Sequence, residues 1–96
     1  MNPHITEENR KFFKAILSIE SEEECAAFFE DVCTIKEIQD LSQRFSVAEM
    51  LNEGEKYQAI EAATGASTAT ISRVNKCLNY GSGGYRAVLE KMKAVK

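Results

Sequence analysis

Hydrophobic residues recur every three or four positions along most of the chain, and short polar stretches interrupt them. This spacing places the apolar side chains on one face of an α-helix and the polar side chains on the other. The pattern predicts helices at about 5–19, 21–32, 34–53, 57–64, 67–79 and 85–95. The sequence therefore predicts an all-α protein of about six helices, forming a single domain over 1–96.

Residues that cap helices mark the predicted starts of the first three helices. Thr6 is the expected N-cap of the first helix, and Ser21-x-x-Glu24 and Thr34-x-x-Glu37 have the spacing of capping boxes. The third helix is the longest, and Gly54 is its expected C′ residue. Its predicted apolar stripe consists of Ile35, Ile38, Leu41, Phe45, Ala48 and Leu51.

The stretch from Tyr57 to Asn79 has the pattern of a helix-turn-helix. Gly65 supplies the positive φ that a tight turn needs, and Ser67 is a good N-cap for the helix that follows. The predicted apolar faces consist of Ile60 and Ala63 in the first helix and of Ile71, Val74 and Leu78 in the second. Two short helices around a glycine turn are typical of DNA-binding motifs whose second helix enters the major groove.

The second helix of this motif also carries a polar stripe opposite its apolar one. Small side chains at its start make it slim enough for a groove about 12 Å wide. The residues predicted to contact DNA are Ser67, Thr68, Ala69, Thr70, Ser72, Arg73, Asn75, Lys76 and Asn79. Arg73 and Lys76 could reach phosphates, as could the free N–H groups after Ser67. The alternative is an ordinary amphipathic hairpin with a solvated polar face.

Charge is distributed unevenly along the chain. The formal net charge is −3, which is unusual for a DNA-binding protein. Residues 1–31 carry a net −5, whereas residues 81–96 carry a net +3. This polarity fits a DNA-facing C-terminal half, and we expect weak, salt-sensitive non-specific affinity. The glycine-rich run 81–84 could be a hinge or a plain helix connection.

The remaining composition argues against an enzyme, a metalloprotein and a membrane protein. Cys25, Cys33 and Cys77 lack CxxC spacing, so buried, reduced thiols are expected rather than a metal or disulfide site. His4 is the single histidine, and no arrangement of a carboxylate and a nucleophile that would make a catalytic site accompanies it. No apolar run approaches the ~20 residues of a membrane span, and no signal peptide is visible. We therefore expect a cytoplasmic protein without cofactors.

The apolar faces of the first three helices exceed what a 96-residue monomer buries well. Paired phenylalanines occur in each of the first two helices, at Phe12-Phe13 and Phe28-Phe29. Such surplus apolar surface is usually covered by a partner. The sequence therefore predicts a homodimer, with 1–54 supplying the dimerisation helices.

The chain contains the segments GASTATISRVNKCLNYG at 65–81 and LSQRFSVAEMLNEGEKY at 41–57. Both segments resemble the Trp repressor family, and within it the small TrpR-like YerC/YecD branch. The resemblance implies an intertwined, all-helical homodimer that acts as a transcriptional regulator on double-stranded DNA. It also implies that Thr68, Ala69, Thr70 and Ser72 lie at base edges, and that Gln58 contacts the DNA backbone.

This chain departs from the family pattern near the predicted DNA contacts. Glu61 stands where the repressor has a basic DNA-contacting residue, and the first helix of the motif is one residue shorter. Both departures argue against recognition of the operator that the Trp repressor itself binds, and both remove attraction between the protein and DNA phosphates. Because Ser, Thr and Asn dominate the interface, we expect water-mediated and shape readout to contribute to specificity.

The resemblance also implies a possible ligand pocket. Thr34, Arg44 and Arg73 match residues that hold tryptophan in the repressor, but two other pocket positions differ. Val74 replaces a residue without a side chain, and Cys77 replaces a serine that bonds the ligand. We therefore expect that tryptophan does not bind, and that the arginines form ion pairs or contact phosphate.

Together these observations predict a sequence-specific regulator that reads a near-palindromic operator as a dimer. Two alternatives remain at this point. One is a protein-interaction module that keeps the helix-turn-helix as a scaffold, and the other is a small enzyme, for which no base or nucleophile is visible.

Overall fold

The computed structural model describes residues 4–94, and the predicted all-α fold is confirmed. Its helices are α1 (Glu7–Leu17), α2 (Glu22–Val32), α3 (Ile35–Asn52), α4 (Tyr57–Thr64), α5 (Thr68–Tyr80) and α6 (Gly84–Ala94). The chain divides into two compact units, the first ending at Ile38 and the second beginning at Gln39. None of the helices within residues 4–94 combines the length and apolar character needed to cross a membrane.

In the first unit, side chains cap the starts of α1 and α2. Thr6 Oγ1 accepts the backbone N–H of Asn9 and Asn9 Oδ1 accepts that of Thr6, both at 3.1 Å, which confirms Thr6 as the N-cap. Ser21 Oγ likewise accepts the N–H of Glu24. The predicted reciprocal box is wrong here, because the Glu24 carboxylate extends one residue further back and accepts the N–H of Glu20 at 2.8 Å.

The first helix ends two residues earlier than predicted. The N–H of Ser18 is shared between the carbonyls of Lys14 and Ala15, and its hydroxyl donates to the Ala15 carbonyl at 2.7 Å. This side-chain bond satisfies a carbonyl at the helix end and competes with continuation of the helix. α1 therefore stops at Leu17.

The apolar residues of the first unit pack on one another without reaching full burial. The ring centroids of Phe12 and Phe28 are 6.0 Å apart, and those of Phe28 and Phe29 are 5.5 Å apart. No residue from 4 to 38 is buried, and Leu17 remains 82% exposed. The first unit has aromatic contacts but no closed core of its own.

The boundaries of α3 follow the predicted signals closely. Thr34 Oγ1 accepts the N–H of Glu37 and the Glu37 carboxylate accepts that of Thr34, which confirms this capping box. At the other end Gly54 adopts a φ of +85°, so it is the predicted left-handed C′ residue. The N–H groups of Gly54 and Glu55 bond to the carbonyls of Leu51 and Met50 at 3.0 Å, the pairing of a Schellman motif.

The second unit contains the hydrophobic core. Its buried residues are Val47, Ala48, Ile60, Ala66, Ile71, Val74, Leu78 and Leu89. Two details of the predicted apolar faces are wrong. Ala63 is exposed and Ala66 is buried instead, because the left-handed Gly65 turns the chain between them. The stripe of α3 omitted Val47, which is fully buried, whereas Leu41 is exposed.

The last helix begins one residue earlier than predicted, at Gly84, and Val95 lies outside the described residues. Leu89 anchors α6 in the second unit, whereas Val88 and Met92 are exposed. α5 ends at Tyr80, and at its C-cap Gly81 any Cβ would overlap with the carbonyl oxygen of Cys77. A glycine is therefore required at this position by close backbone approach.

Candidate nucleic-acid interface

The turn between α4 and α5 is held by backbone geometry and by a side chain from α3. Gly65 has a φ of +74°, and its N–H bonds to the Glu61 carbonyl at 2.9 Å. Gln43 Nε2 donates to the Thr64 carbonyl at 3.0 Å, across 21 residues of sequence. The Thr64 hydroxyl donates to the Ile60 carbonyl and accepts the N–H of Ala66. The angle at which α5 leaves the turn is therefore constrained on both sides.

Side-chain hydroxyl groups form hydrogen bonds at the start of α5. Ser67 Oγ accepts the N–H of Thr70 at 3.1 Å and donates to Thr70 Oγ1 at the same distance, which confirms Ser67 as the N-cap. Thr68 is the first residue of the helix, and its hydroxyl donates to the carboxylate of Glu61 in the last turn of α4. This hydrogen bond bridges the two helices on the outer side of the motif.

α5 presents two distinct faces, as predicted. Ile71, Val74 and Leu78 are buried, with exposures of 0%, 2% and 5%. The predicted DNA-contacting residues that are exposed are Gln58, Ser67, Thr68, Ala69, Ser72, Arg73, Lys76 and Asn79, and those that are half-buried are Thr70 and Asn75. The slim polar surface of the first two turns of α5 is thus open to an approaching ligand.

The C-terminal end of α5 is tied down by Arg86, a residue that the sequence interpretation missed. Its guanidinium donates to Asn52 Oδ1 at 2.8 Å, to Asn79 Oδ1 at 2.9 Å and to the Leu78 carbonyl at 3.2 Å. Asn79 in turn donates its amide hydrogens to the backbone and side-chain oxygens of Asn75. The side chains of Asn75 and Asn79 are therefore engaged in hydrogen bonds within the fold.

The residues of the predicted ligand pocket fall into different environments. Thr34 belongs to the first unit, where its hydroxyl caps α3, and the other four belong to the second unit. Val74 is buried among Val47, Ala48, Ile60 and Ile71, so its side chain occupies part of the core. Arg44 is half-buried and Arg73 is exposed, and neither forms an ion pair within residues 4–94.

The prediction of buried thiols is wrong for Cys77 and only partly met by the other two. Cys25 and Cys33 are partly exposed and Cys77 is exposed, and all three are free thiols. Cys77 lies on α5 between the core face and the solvent face, next to the buried Leu78. It lines an open surface pocket of about 520 Å³, together with Phe45, Gly81, Ser82, Gly84, Tyr85 and Val88.

Comparisons with known proteins agree with this geometry. The sequence profile of the family described as "Trp repressor protein" matches residues 7–93. YerC of Bacillus subtilis (strain 168), described as an uncharacterized protein, is 57% identical over 83 residues, which are 86% of this chain and 80% of YerC.

Two solved structures share the fold over nearly the whole chain. A TrpR-like protein from Eubacterium eligens has a TM-score of 0.91 and 54% identity, covering 97% of this chain and 96% of that one. A candidate Trp repressor from Staphylococcus aureus has a TM-score of 0.85 and 50% identity, covering 88% and 84%. Profile, relative and structures therefore show that the chain belongs to the Trp repressor family.

Proposed function

We propose that this protein is a sequence-specific transcriptional regulator that binds double-stranded DNA in the cytoplasm through α5. The observation that carries the proposal is the division of α5 into a buried apolar face and an exposed, slim polar start. A helix of this kind fits the major groove, where hydroxyl groups can bond to base edges and small side chains can contact thymine methyls. Family membership supports the same function.

The cationic residues of α5 suit the phosphate backbone. Arg73 and Lys76 are exposed on the flanks of the polar start, and no carboxylate within residues 4–94 pairs with Arg73. The N-terminal N–H groups of α5 that are not capped also favour an anion. These contacts would set the position of the helix on DNA, and Thr68, Ala69, Thr70 and Ser72 would read the bases.

The regulator acts as a homodimer in this proposal. In the first unit no residue from 4 to 38 is buried, although it carries four phenylalanines and several large aliphatic residues. A second copy covering this surface would supply the missing core. Two-fold symmetry would place two α5 helices in successive major grooves about 34 Å apart, so the operator would be near-palindromic.

Selection of bound fragments from random DNA tests this function directly. We expect purified protein at physiological salt to recover a near-palindrome whose half-sites are one helical turn apart. Equal recovery of all sequences would contradict the proposal and favour a protein-interaction module that keeps the helix-turn-helix as a scaffold.

Ser72→Ala and Lys76→Ala should have different effects on DNA binding. Ser72 is exposed on the reading face, so its loss should weaken binding to the selected site by about 1–3 kcal/mol and leave non-specific binding nearly unchanged. Lys76→Ala should weaken binding to every sequence alike. It should also reduce the slope of the logarithm of the binding constant against the logarithm of the salt concentration by about one. Titrations at several salt concentrations measure both effects; the same uniform loss for Ser72→Ala would exclude base reading by this residue.

We further propose that tryptophan is not the effector. The Val74 side chain is packed in the core, and Cys77 offers only a weak hydrogen-bonding group. Isothermal titration calorimetry of the intact protein should therefore detect no saturable tryptophan binding below millimolar concentration. A dissociation constant in the micromolar range would overturn this prediction.

A further inference from the structure

A hydrogen bond between α4 and α5 determines which groups the start of α5 can offer to DNA. The Thr68 hydroxyl and the Glu61 carboxylate are both exposed and bonded to each other. An ionised carboxylate has no hydrogen to give, so Thr68 must be the donor. A threonine hydroxyl carries a single hydrogen, and this bond uses it.

The two side chains together then present only acceptors. Thr68 Oγ1 keeps both of its lone pairs, and the Glu61 carboxylate keeps several. The Ser67 hydroxyl does not restore a donor at this point, because its hydrogen is directed at Thr70 Oγ1. A base edge that meets the pair must therefore supply the hydrogen.

We propose that Glu61 and Thr68 form a specificity-determining site that selects a base with an exocyclic amino group, cytosine before adenine. This inference rests on the proposed reading of DNA by α5. In the major groove cytosine presents N4–H₂ alone, whereas adenine adds the acceptor N7 beside its amino group. Guanine O6 and N7 and thymine O4 are acceptors, so they leave the pair without a hydrogen bond and repel the carboxylate.

The Glu61 carboxylate also lowers affinity for DNA in general. It lies beside the N-terminus of α5, which in this proposal enters the groove between phosphates, so it repels them. Glu61 therefore acts on every sequence by repulsion, and on the preferred base by an added hydrogen bond. Removing the charge of Glu61 should therefore raise the overall affinity for DNA and lower the discrimination between bases. A surface carboxylate elsewhere can produce only the first of these effects.

The experiment compares DNA fragments selected by wild type, Glu61→Gln, Thr68→Val and Glu90→Gln. Glu90 is exposed on α6, and its change to glutamine alters the net charge by the same amount as Glu61→Gln. In wild type, we expect one position of each half-site to be enriched in cytosine over guanine by at least about ten-fold. Glu61→Gln should reduce this preference to about two-fold or less, because the glutamine amide can donate as well as accept.

The two remaining variants separate charge from geometry. Thr68→Val removes the bond that holds the carboxylate and should weaken the preference at the same half-site position, without the rise in overall affinity. Glu90→Gln should leave the preference at that position unchanged.

The inference is overturned if the base profile of Glu61→Gln equals that of wild type, or if wild type selects guanine or thymine at the position sensitive to Glu61. If wild type selects a sequence and Glu61→Gln selects the same one, only the proposal for Glu61 and Thr68 is overturned, and the proposed function stands. A wild type that enriches no sequence overturns the proposed function as well.

Discussion

Leu17→Asp should convert the protein from a dimer to a monomer. Within one chain Leu17 is 82% exposed, so the substitution by itself should change stability by no more than about 0.5 kcal/mol. In the proposed symmetric dimer, with α1 in the interface, the same change would remove two buried leucines, each contributing about 1.5–3 kcal/mol, and would place two charges in an apolar contact. We therefore expect the dimer dissociation constant to rise at least about a hundred-fold.

Sedimentation equilibrium measures this effect, and Lys11→Gln is its matched control. Lys11 is exposed on the same helix, and its substitution shifts the net charge by the same single unit. The control should stay dimeric. Because the first unit has no buried residue of its own, Leu17→Asp should also lose helical circular dichroism at low concentration. A Leu17→Asp dimer as tight as wild type would show that α1 lies outside the interface.

Ile71→Ala should destabilise the fold by about 2–5 kcal/mol, because it removes three carbons from a fully buried side chain in the centre of the helix-turn-helix. Ile71 packs with Ile60 and Val47, so one truncation loosens α4, α5 and α3 together. For a domain of this size the loss is a large fraction of the total stability. Urea unfolding followed by circular dichroism, at one fixed protomer concentration, measures the change.

Ser72→Ala, at the next position of the same helix, is the control for this measurement. Its side chain is exposed, so we expect unfolding free energy within about 0.5 kcal/mol of wild type. The two variants should therefore show opposite patterns, Ser72→Ala losing base discrimination and Ile71→Ala losing stability. A destabilisation below 1 kcal/mol for Ile71→Ala would contradict the assignment of the core.

The local features of the helices were predictable because their determinants lie within one turn of sequence. Thr6, Thr34 and Ser67 cap helices with their own hydroxyls, and Gly54 and Gly65 adopt the left-handed conformation that ends a helix. Each of these interactions joins residues no more than four apart. The failures at this level were also local: the carboxylate of Glu24 reached Glu20 instead of Ser21.

The groups that orient α5 were not predictable from spacing. Gln43 holds the turn across 21 residues, and Arg86 connects Asn52 to Asn79 across 34 and 7 residues. Nothing in a periodic pattern distinguishes these polar residues from solvated ones, since their partners meet only after the helices pack. Arg86 was interpreted only as part of a basic segment, whereas it binds three acceptors of the fold.

The sequence by itself determined the number of helices, the N-caps at Thr6, Thr34 and Ser67, and the two faces of α5, because these follow from helical periodicity and from the hydrogen-bonding capacity of single side chains. Tertiary structure alone decided that Val74 fills the core, that Cys77 is exposed, and that Glu61 takes the hydrogen of Thr68. These outcomes depend on the angle between helices, which is set by many packed side chains acting together.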